Sequence, residues 1–217
     1  MPLPSLIYVA DPMCSWCWGF SCSIDALRKH LVDEVSIQMV MGGLRAGNTQ
    51  IMDEKLRDYV LSHWVNVHKA SGQPFNFVFN MPQGFIYDTE PACRAIKTAD
   101  NMAPSLSSDM AFCLMEHIQR EFYEFNKDVT NTDVLQKAAQ DCGLDGATFL
   151  NLFLSNSIKQ TCKADFLRAR ELTVTGFPTL IGEYSGQFTT LAPGYMSAKQ
   201  LIEVVDNWLN KIKQKPA

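Results

Sequence analysis

The sequence has no run of Lys and Arg long enough to form a basic stripe, and its formal net charge is −4. It therefore offers no electrostatic footprint for nucleic acid or for an anionic membrane surface, and neither partner is expected. No stretch approaches the roughly 18 consecutive apolar residues that a membrane-spanning helix needs. The opening residues Met-Pro-Leu-Pro-Ser lack a basic segment and a small-residue cleavage pattern, so no secretion signal is read there. Gly42-Gly43 with Gly47 marks a tight loop but lacks the spacing of a dinucleotide-binding turn. There is no internal repeat and no low-complexity tract.

Histidine is scarce and dispersed, at positions 30, 63, 68 and 117, and each reads as a helix-surface or core residue. His63, Trp64 and His68 fall on a helical pattern whose apolar members face inward, where packing is the default role and lining a groove the alternative. Cys14, Cys17 and Cys22 supply three soft ligands, but a structural zinc site takes four, usually from two clustered pairs. A second CxxC, a CxH or an HxxxH is missing. No metal and no bound cofactor is expected.

What is present describes an ordinary globular chain: 217 residues, 47% hydrophobic and 19% charged, long enough to bury a substantial core. Seven cysteines is an odd number, and Cys93, Cys113, Cys142 and Cys162 lie scattered among helical patterns. The expectation is a reduced, cytoplasmic protein, in which a close cysteine pair is catalytic or metal-binding rather than a structural staple.

Residues 6–10 (LIYVA) form a short apolar run stopped by Asp11-Pro12, the pattern of a buried strand. A helix is expected from Ser15 to Leu31, since Trp16, Phe20, Ile24, Leu27 and Leu31 recur at three- and four-residue steps. Val35 to Met41 alternates as a strand and stops at Gly42-Gly43, completing a βαβ unit. From Asp53 to Leu172 the pattern reads as helical almost throughout, as five or six helices broken at Gly72-Gln73-Pro74, Met81-Pro82, Ala103-Pro104, Asn126 and Cys142-Gly143. Strand character returns at Thr179–Ile181 and Gln187–Leu191 around a Ser185-Gly186 turn. A last helix runs from Ser197 to Ile212, with Ser197 and Gln200 as a capping box. Neither end alone has strands enough for a sheet. The economical architecture is one discontinuous α/β domain, 1–48 with 157–217, interrupted by an all-α insertion at 49–156.

Cys14 and Cys17 stand three residues apart where the first strand hands over to the first helix. One helical turn brings two such sulfurs within bonding reach. At a helix N-terminus the unpaired N–H groups and the positive end of the macrodipole favour a thiolate, here at Cys14. Cys17 should be the more buried of the two. The assignment is Cys14 as attacking nucleophile and Cys17 as resolving thiol, through a mixed disulfide. Buried structural cysteines, half a zinc site and an iron–sulfur ligand pair share this spacing. Trp16 is the aromatic neighbour expected to be exposed for substrate, Phe20 is expected in the core, and Cys22 reads as a buried apolar cysteine.

A second informative stretch is Val174-Thr175-Gly176-Phe177-Pro178-Thr179-Leu180. A βαβ unit with CxxC at its helix start, a helical insertion, then Gly-x-Pro-Thr leading into a hairpin and a last helix resembles the DsbA family of thioredoxin-fold oxidoreductases. Asp11-Pro12-Met13-Cys14-Ser15-Trp16-Cys17-Trp18-Gly19 with Thr89-Glu90-Pro91-Ala92-Cys93-Arg94-Ala95 resembles its FrnE-like branch. The resemblance spans essentially the whole chain. It implies that Pro178 is cis and faces the cysteines, and that Phe177 offers its backbone to a substrate chain by strand addition. The partners implied are protein or small-molecule thiols and disulfides, with glutathione a candidate. The chain departs from the family at Tyr8, where a carboxylate usually stands six residues before the first cysteine. Ser15-Trp16 matches none of the best-known dipeptides, so reductase, oxidase and isomerase directions stay open, a span of about 7 kcal/mol between thioredoxin-like and DsbA-like potentials. The alternatives are a glutathione-dependent transferase or isomerase of the kappa-class or 2-hydroxychromene-2-carboxylate isomerase type, whose members usually carry serine in place of Cys14, and a metal- or protein-binding module.

Overall fold

The computed structural model describes residues 3–31, 35–102 and 107–214. β1 (Ser5–Ala10), α1 (Ser15–Leu31) and β2 (Ser36–Met41) form the expected βαβ unit, with β1 and β2 parallel and Ser5 to Ala10 in register with Ser36 to Met41. Six helices follow: α2 (Glu54–Ser71), α3 (Glu90–Met102), α4 (Ser107–Tyr123), α5 (Thr132–Asp141), α6 (Gly146–Leu154) and α7 (Asn156–Glu171). β3 (Thr179–Tyr184) and β4 (Gln187–Ala192) make a hairpin, and α8 (Ala198–Lys213) ends the fold.

The sheet order is β2-β1-β3-β4, so the strand that begins the chain lies between a parallel neighbour close in sequence and an antiparallel one from the far end. Its alternating side chains serve two layers. Leu6, Tyr8 and Ala10 join the main core, while Ile7 and Val9 meet Val40, Ile181 and Ala169 of α7 in a smaller cluster on the other face. α1 and α8 pack against each other, and α7 packs on β2. The Ser185-Gly186 turn has positive φ at both residues (51° and 73°), the backbone twist that suits a two-residue hairpin. At α8, the Ser197 backbone N–H and hydroxyl both donate to Gln200 Oε1, at 3.2 and 2.8 Å. The result is an α/β sheet interrupted by a helical segment, the expected fold class.

Three expectations need correction. The helical reading of 53–172 fails between α2 and α3, where residues 73–89 are an irregular connection. Gly72 takes a left-handed φ of 75° and ends α2, and Pro74, Pro82 and Gly84 keep helix from resuming. The apolar residues that looked helical, Phe75, Phe79, Phe85 and Tyr87, instead surround Trp64 and Phe122. Next, Ser155 divides α6 from α7, capping the Ile158 N–H at 3.3 Å, a break with no glycine or proline to announce it. Last, Cys113 and Cys142, read as scattered thiols, are joined as a disulfide between α4 and the C-terminal cap of α5. The break expected at Ala103-Pro104 lies outside the described residues.

Gly182 shows how closely α8 sits on the sheet: a Cβ there would lie 2.6 Å from the Trp208 ring. Gly182→Ala should therefore destabilise the protein by about 1–3 kcal/mol through overpacking. Denaturant unfolding checks this, and an unchanged midpoint would mean that the Trp208 contact is not tight.

Candidate active site

The site begins with a carboxylate. Asp11, the first residue past β1, is fully buried. Its Oδ1 accepts the Met13 N–H at 2.9 Å, and its Oδ2 accepts the Leu44 N–H at 2.7 Å. The Cys93 thiol lies 3.5 Å from the same Oδ2. One side chain thus ties the turn before the cysteines to the loop leaving β2. Burial pushes the Asp11 carboxyl up, opposed by its bonds to Thr89, Leu44 and Met13. The Asp11 carbonyl accepts the Cys14 N–H at 3.1 Å, and the Tyr87 hydroxyl donates to the Met13 carbonyl.

Cys14 stands immediately before the first residue of α1, and its carbonyl accepts the Cys17 and Trp18 N–H groups at 2.9 and 3.2 Å. Its thiol donates to the Phe177 carbonyl at 3.6 Å. Both cysteines are free thiols, Cys14 being 7% exposed and Cys17 completely covered. Burial raises the Cys17 thiol well above its ordinary value, and the neighbouring Cys14 sulfur raises it further. Where the resemblance leads one to expect a carboxylate stands Tyr8, fully buried, with a phenol beside the cysteines that burial pushes up and the Cys17 and Cys14 sulfurs push up further.

The Phe177–Pro178 bond is cis. Phe177 leans its ring on the bare Cα of Gly42, where a Cβ would come within 2.2 Å of the ring. Cys14, Trp16 and Phe177 line one cavity of about 220 Å³, with Arg45, Tyr59 and His63 among the opposing residues. Four of the five expected site residues therefore meet directly: Cys14, Trp16 and Phe177 at the cavity, and Cys17 beneath Cys14. Pro178 is buried behind Phe177. Trp16 is half-buried, its ring 5.8 Å from that of Tyr195, and Phe20 is in the core. His63 and Trp64, for which packing is the default expectation and lining a groove the alternative, form part of the cavity wall. Cys22, expected to be buried, is exposed. Asp11 carried one local sign, its place at the end of an apolar run before proline. The bond to Leu44 has no local sign, since the loop after β2 reaches it only through the β1–β2 pairing.

The family model described as thioredoxin matches residues 7–185. A crystal structure from Nitrosomonas europaea, assigned provisionally as a protein disulfide isomerase, aligns with a TM-score of 0.89 and 35% identity, covering 97% of this chain and 99% of that one. The cytosolic disulfide reductase DsbM from Pseudomonas aeruginosa aligns with a TM-score of 0.75 and 24% identity, over 97% of this chain and 98% of that one. A further structure of DsbM, with GSH, has a TM-score of 0.73 and 22% identity, over 97% and 100% of the two chains. The ClpXP adapter protein SpxH of Halalkalibacterium halodurans is 23% identical over 175 residues, 79% of this chain but 56% of that relative's length.

Because the Cys17 pKa is raised in the fold, the folded reduced protein holds a proton that the unfolded chain releases near its ordinary value of 9.0. The contribution is fully present below that pH and is lost as pH rises from there through the folded value. Thermal denaturation in a non-thiol reductant should show the wild type losing stability above about pH 9 more steeply than Cys17→Ala. Parallel curves for the two proteins would remove the buried thiol from the balance.

Proposed function

The chain belongs to the thioredoxin family, and from that premise we propose that it exchanges disulfides through Cys14 as nucleophile and Cys17 as resolving thiol. It is a disulfide oxidoreductase with the DsbA-like form of the thioredoxin fold. The observation that carries the specific assignment is the division between two adjacent sulfurs: Cys14 borders the cavity, while Cys17 is sealed beneath it.

The exchange proceeds in two displacements. Cys14 thiolate bonds to one sulfur of a substrate disulfide, and the other sulfur leaves with the electron pair. Cys17 then bonds to Cys14, breaking the mixed disulfide and releasing the second substrate sulfur as a thiolate. The substrate gains two electrons and the protein pair becomes a disulfide. The reverse sequence oxidises a substrate dithiol. Cys17 must surrender its proton during the second displacement; the departing substrate thiolate takes it up, and the neutral Tyr8 hydroxyl beside Cys17 can relay it. A phenol raised by burial stays neutral and holds no negative charge with which to take the proton, so that step depends on the leaving substrate sulfur rather than on a standing anion.

On the substrate side, Phe177 offers backbone to an extended chain, with Trp16 as an apolar wall and Pro178 fixing the approach. The Arg45 guanidinium puts a positive charge on the opposite wall, which suits a small acidic thiol as well as a peptide. Glutathione is a candidate substrate, a reading supported by the DsbM structure with GSH, and the cytosolic setting of that relative supports a cytoplasmic location. Residues 1–48 and 157–217 are the thioredoxin-like domain in this reading, and 49–156 the helical insertion that supplies the far wall of the cavity.

Cys17→Ala should accumulate mixed disulfides with substrate and lose roughly 100-fold or more in turnover, whereas Cys14→Ser should form none. Non-reducing electrophoresis and mass spectrometry read both, and equal trapping by the two variants overturns the roles. Gly42→Ala, by pushing the Phe177 ring, should lower kcat/KM by about 10- to 100-fold in a protein that stays folded. An unchanged kcat/KM would separate Phe177 from catalysis.

A further inference from the structure

Cys113 and Cys142 are joined across α4 and α5, and the exchange at Cys14 makes no use of them. His117, one helical turn beyond Cys113, has its Nδ1 2.9 Å from the Cys113 carbonyl oxygen. A carbonyl can only accept, so this nitrogen carries the proton. The same Nδ1 lies 3.3 Å from Cys142 Sγ and 3.7 Å from Cys113 Sγ. That N–H is held by the Cys113 carbonyl with both sulfurs close to the same nitrogen, that of Cys142 the nearer, so a small turn of the ring brings it to a thiolate formed there.

Both cysteines are half-buried, but they differ in what they face. Cys113 lines a cleft of about 490 Å³ between α1 and α4, and Cys142 is not among the residues of that cleft. The cleft shares no lining residue with the Cys14 cavity, although Tyr8 and Trp18, the neighbours of Cys17, form part of its wall. Gln119 also lines it, 1% exposed, with neither amide nitrogen nor amide oxygen hydrogen-bonded to any described residue. A buried amide with both groups free costs stability unless something pairs with it. Its natural complement is another amide, as in a peptide bond. The exposed thiol of Cys22 and the guanidinium groups of Arg28 and Arg120 share the cleft with Asp25, Asp109, Glu116 and Glu124, Arg28 being paired with Asp109, so its polar side offers carboxylates to the ammonium of a small peptide as well as cations to its carboxylates.

We propose that Cys113, Cys142 and His117 form a second dithiol–disulfide centre, which exchanges with a small peptidic thiol of the glutathione type entering through the Gln119 cleft. The incoming thiolate bonds to Cys113 Sγ, the sulfur the cleft reaches. The Cys113–Cys142 bond breaks and its electron pair leaves on Cys142 Sγ, where the His117 N–H stabilises the new thiolate. A second small thiolate then bonds to the first small-molecule sulfur and releases Cys113. Two small thiols become one small disulfide, and the two protons they give up are taken by Cys113 and Cys142. In the oxidising direction the same steps run backwards, with the small disulfide as oxidant. The reduced state unlinks α4 from the end of α5.

The test equilibrates the wild-type protein in glutathione redox buffers, quenches with acid, alkylates, and reads each cysteine by peptide mass spectrometry. Because every cysteine is resolved separately, no variant is needed for the main result and the state of Cys14 and Cys17 is recorded independently. Cys113 and Cys142 should become reactive together in one two-electron transition while the protein stays folded, and Cys142→Ala should carry a glutathione adduct on Cys113. His117→Gln should slow this reduction by about tenfold while leaving exchange at Cys14 unchanged. The proposal is overturned if the pair opens only on unfolding, if both residues alkylate at every buffer ratio, or if the adduct forms on Cys142 in Cys113→Ala and not on Cys113. It is also overturned if the reduced protein, offered zinc, retains it stoichiometrically and thereby protects Cys113, His117 and Cys142, the set of ligand atoms lying within 4.8 Å of one another.

Discussion

The antiparallel pairing of β1 with β3 is the constraint from which the site follows. Val9 registers with Thr179, so the residues just before β3 arrive where β1 runs out and α1 begins. Phe177 is thereby brought to Cys14, 163 positions away in the chain, and its carbonyl meets the thiol. Closing so long a loop costs entropy that grows only slowly with its length. The apolar residues of β1, buried on both faces of the sheet, supply the burial that offsets it. Asp11 adds the second tie by bonding the turn before the cysteines and the loop after β2 through one carboxylate. Sheet register sets where the sulfur and the cis-proline segment meet, and Asp11 sets the shape of the turn that presents the sulfur.

The substitution of Tyr8 for a carboxylate changes the character of the buried thiol's surroundings. A carboxylate beneath the pair would be a third group competing for protons in a volume that excludes water. Tyr8 is neutral through the physiological range, and so is Cys17, because burial raises both. Besides Cys14, the buried anion-forming group acting on this pair is Asp11, whose carboxylate oxygens accept two backbone N–H groups. The dithiol form accordingly rests in a nearly uncharged interior. Charge enters it during exchange, which is when the nearby Asp11 backbone, which works against the rise of the Cys17 thiol, has the most effect.

Local periodicity was enough to read the elements whose burial is set by their immediate neighbours. β1, α1, β2 and α8 each carry a stripe or run that only one secondary structure can bury, and the Ser197–Gln200 link is written in four consecutive residues. The CxxC pair was legible for the same reason, since its geometry is one helical turn. Residues 73–89 were not, because their aromatics bury against Trp64 and Phe122 from an irregular backbone, and spacing alone cannot separate that from a helical stripe. His63 belongs to the cavity wall only because α2 crosses in front of Cys14, a placement that rests on tertiary packing. The Cys113–Cys142 link has a sequence separation of 29 and depends on how α4 meets α5, which neither helix states by itself. In each case the missing information is a partner, and partners are set by the sheet and the helix packing.

Three of the four tryptophans crowd the reacting sulfurs. Trp16 and Trp18 flank Cys17 in sequence, Trp18 stacks on Tyr123 with its indole N–H held by the Pro74 carbonyl, and Trp64 stands in the cavity wall. The fourth, Trp208, lies on α8 against Gly182, outside the cavity. Disulfides quench indole emission at close range by accepting an electron from the excited ring, whereas thiols do so far less. The molecule thus contains its own optical gauge: light emitted near Cys14 tracks the bond between the two sulfurs in real time, and the indole outside the cavity supplies the baseline against which it is read.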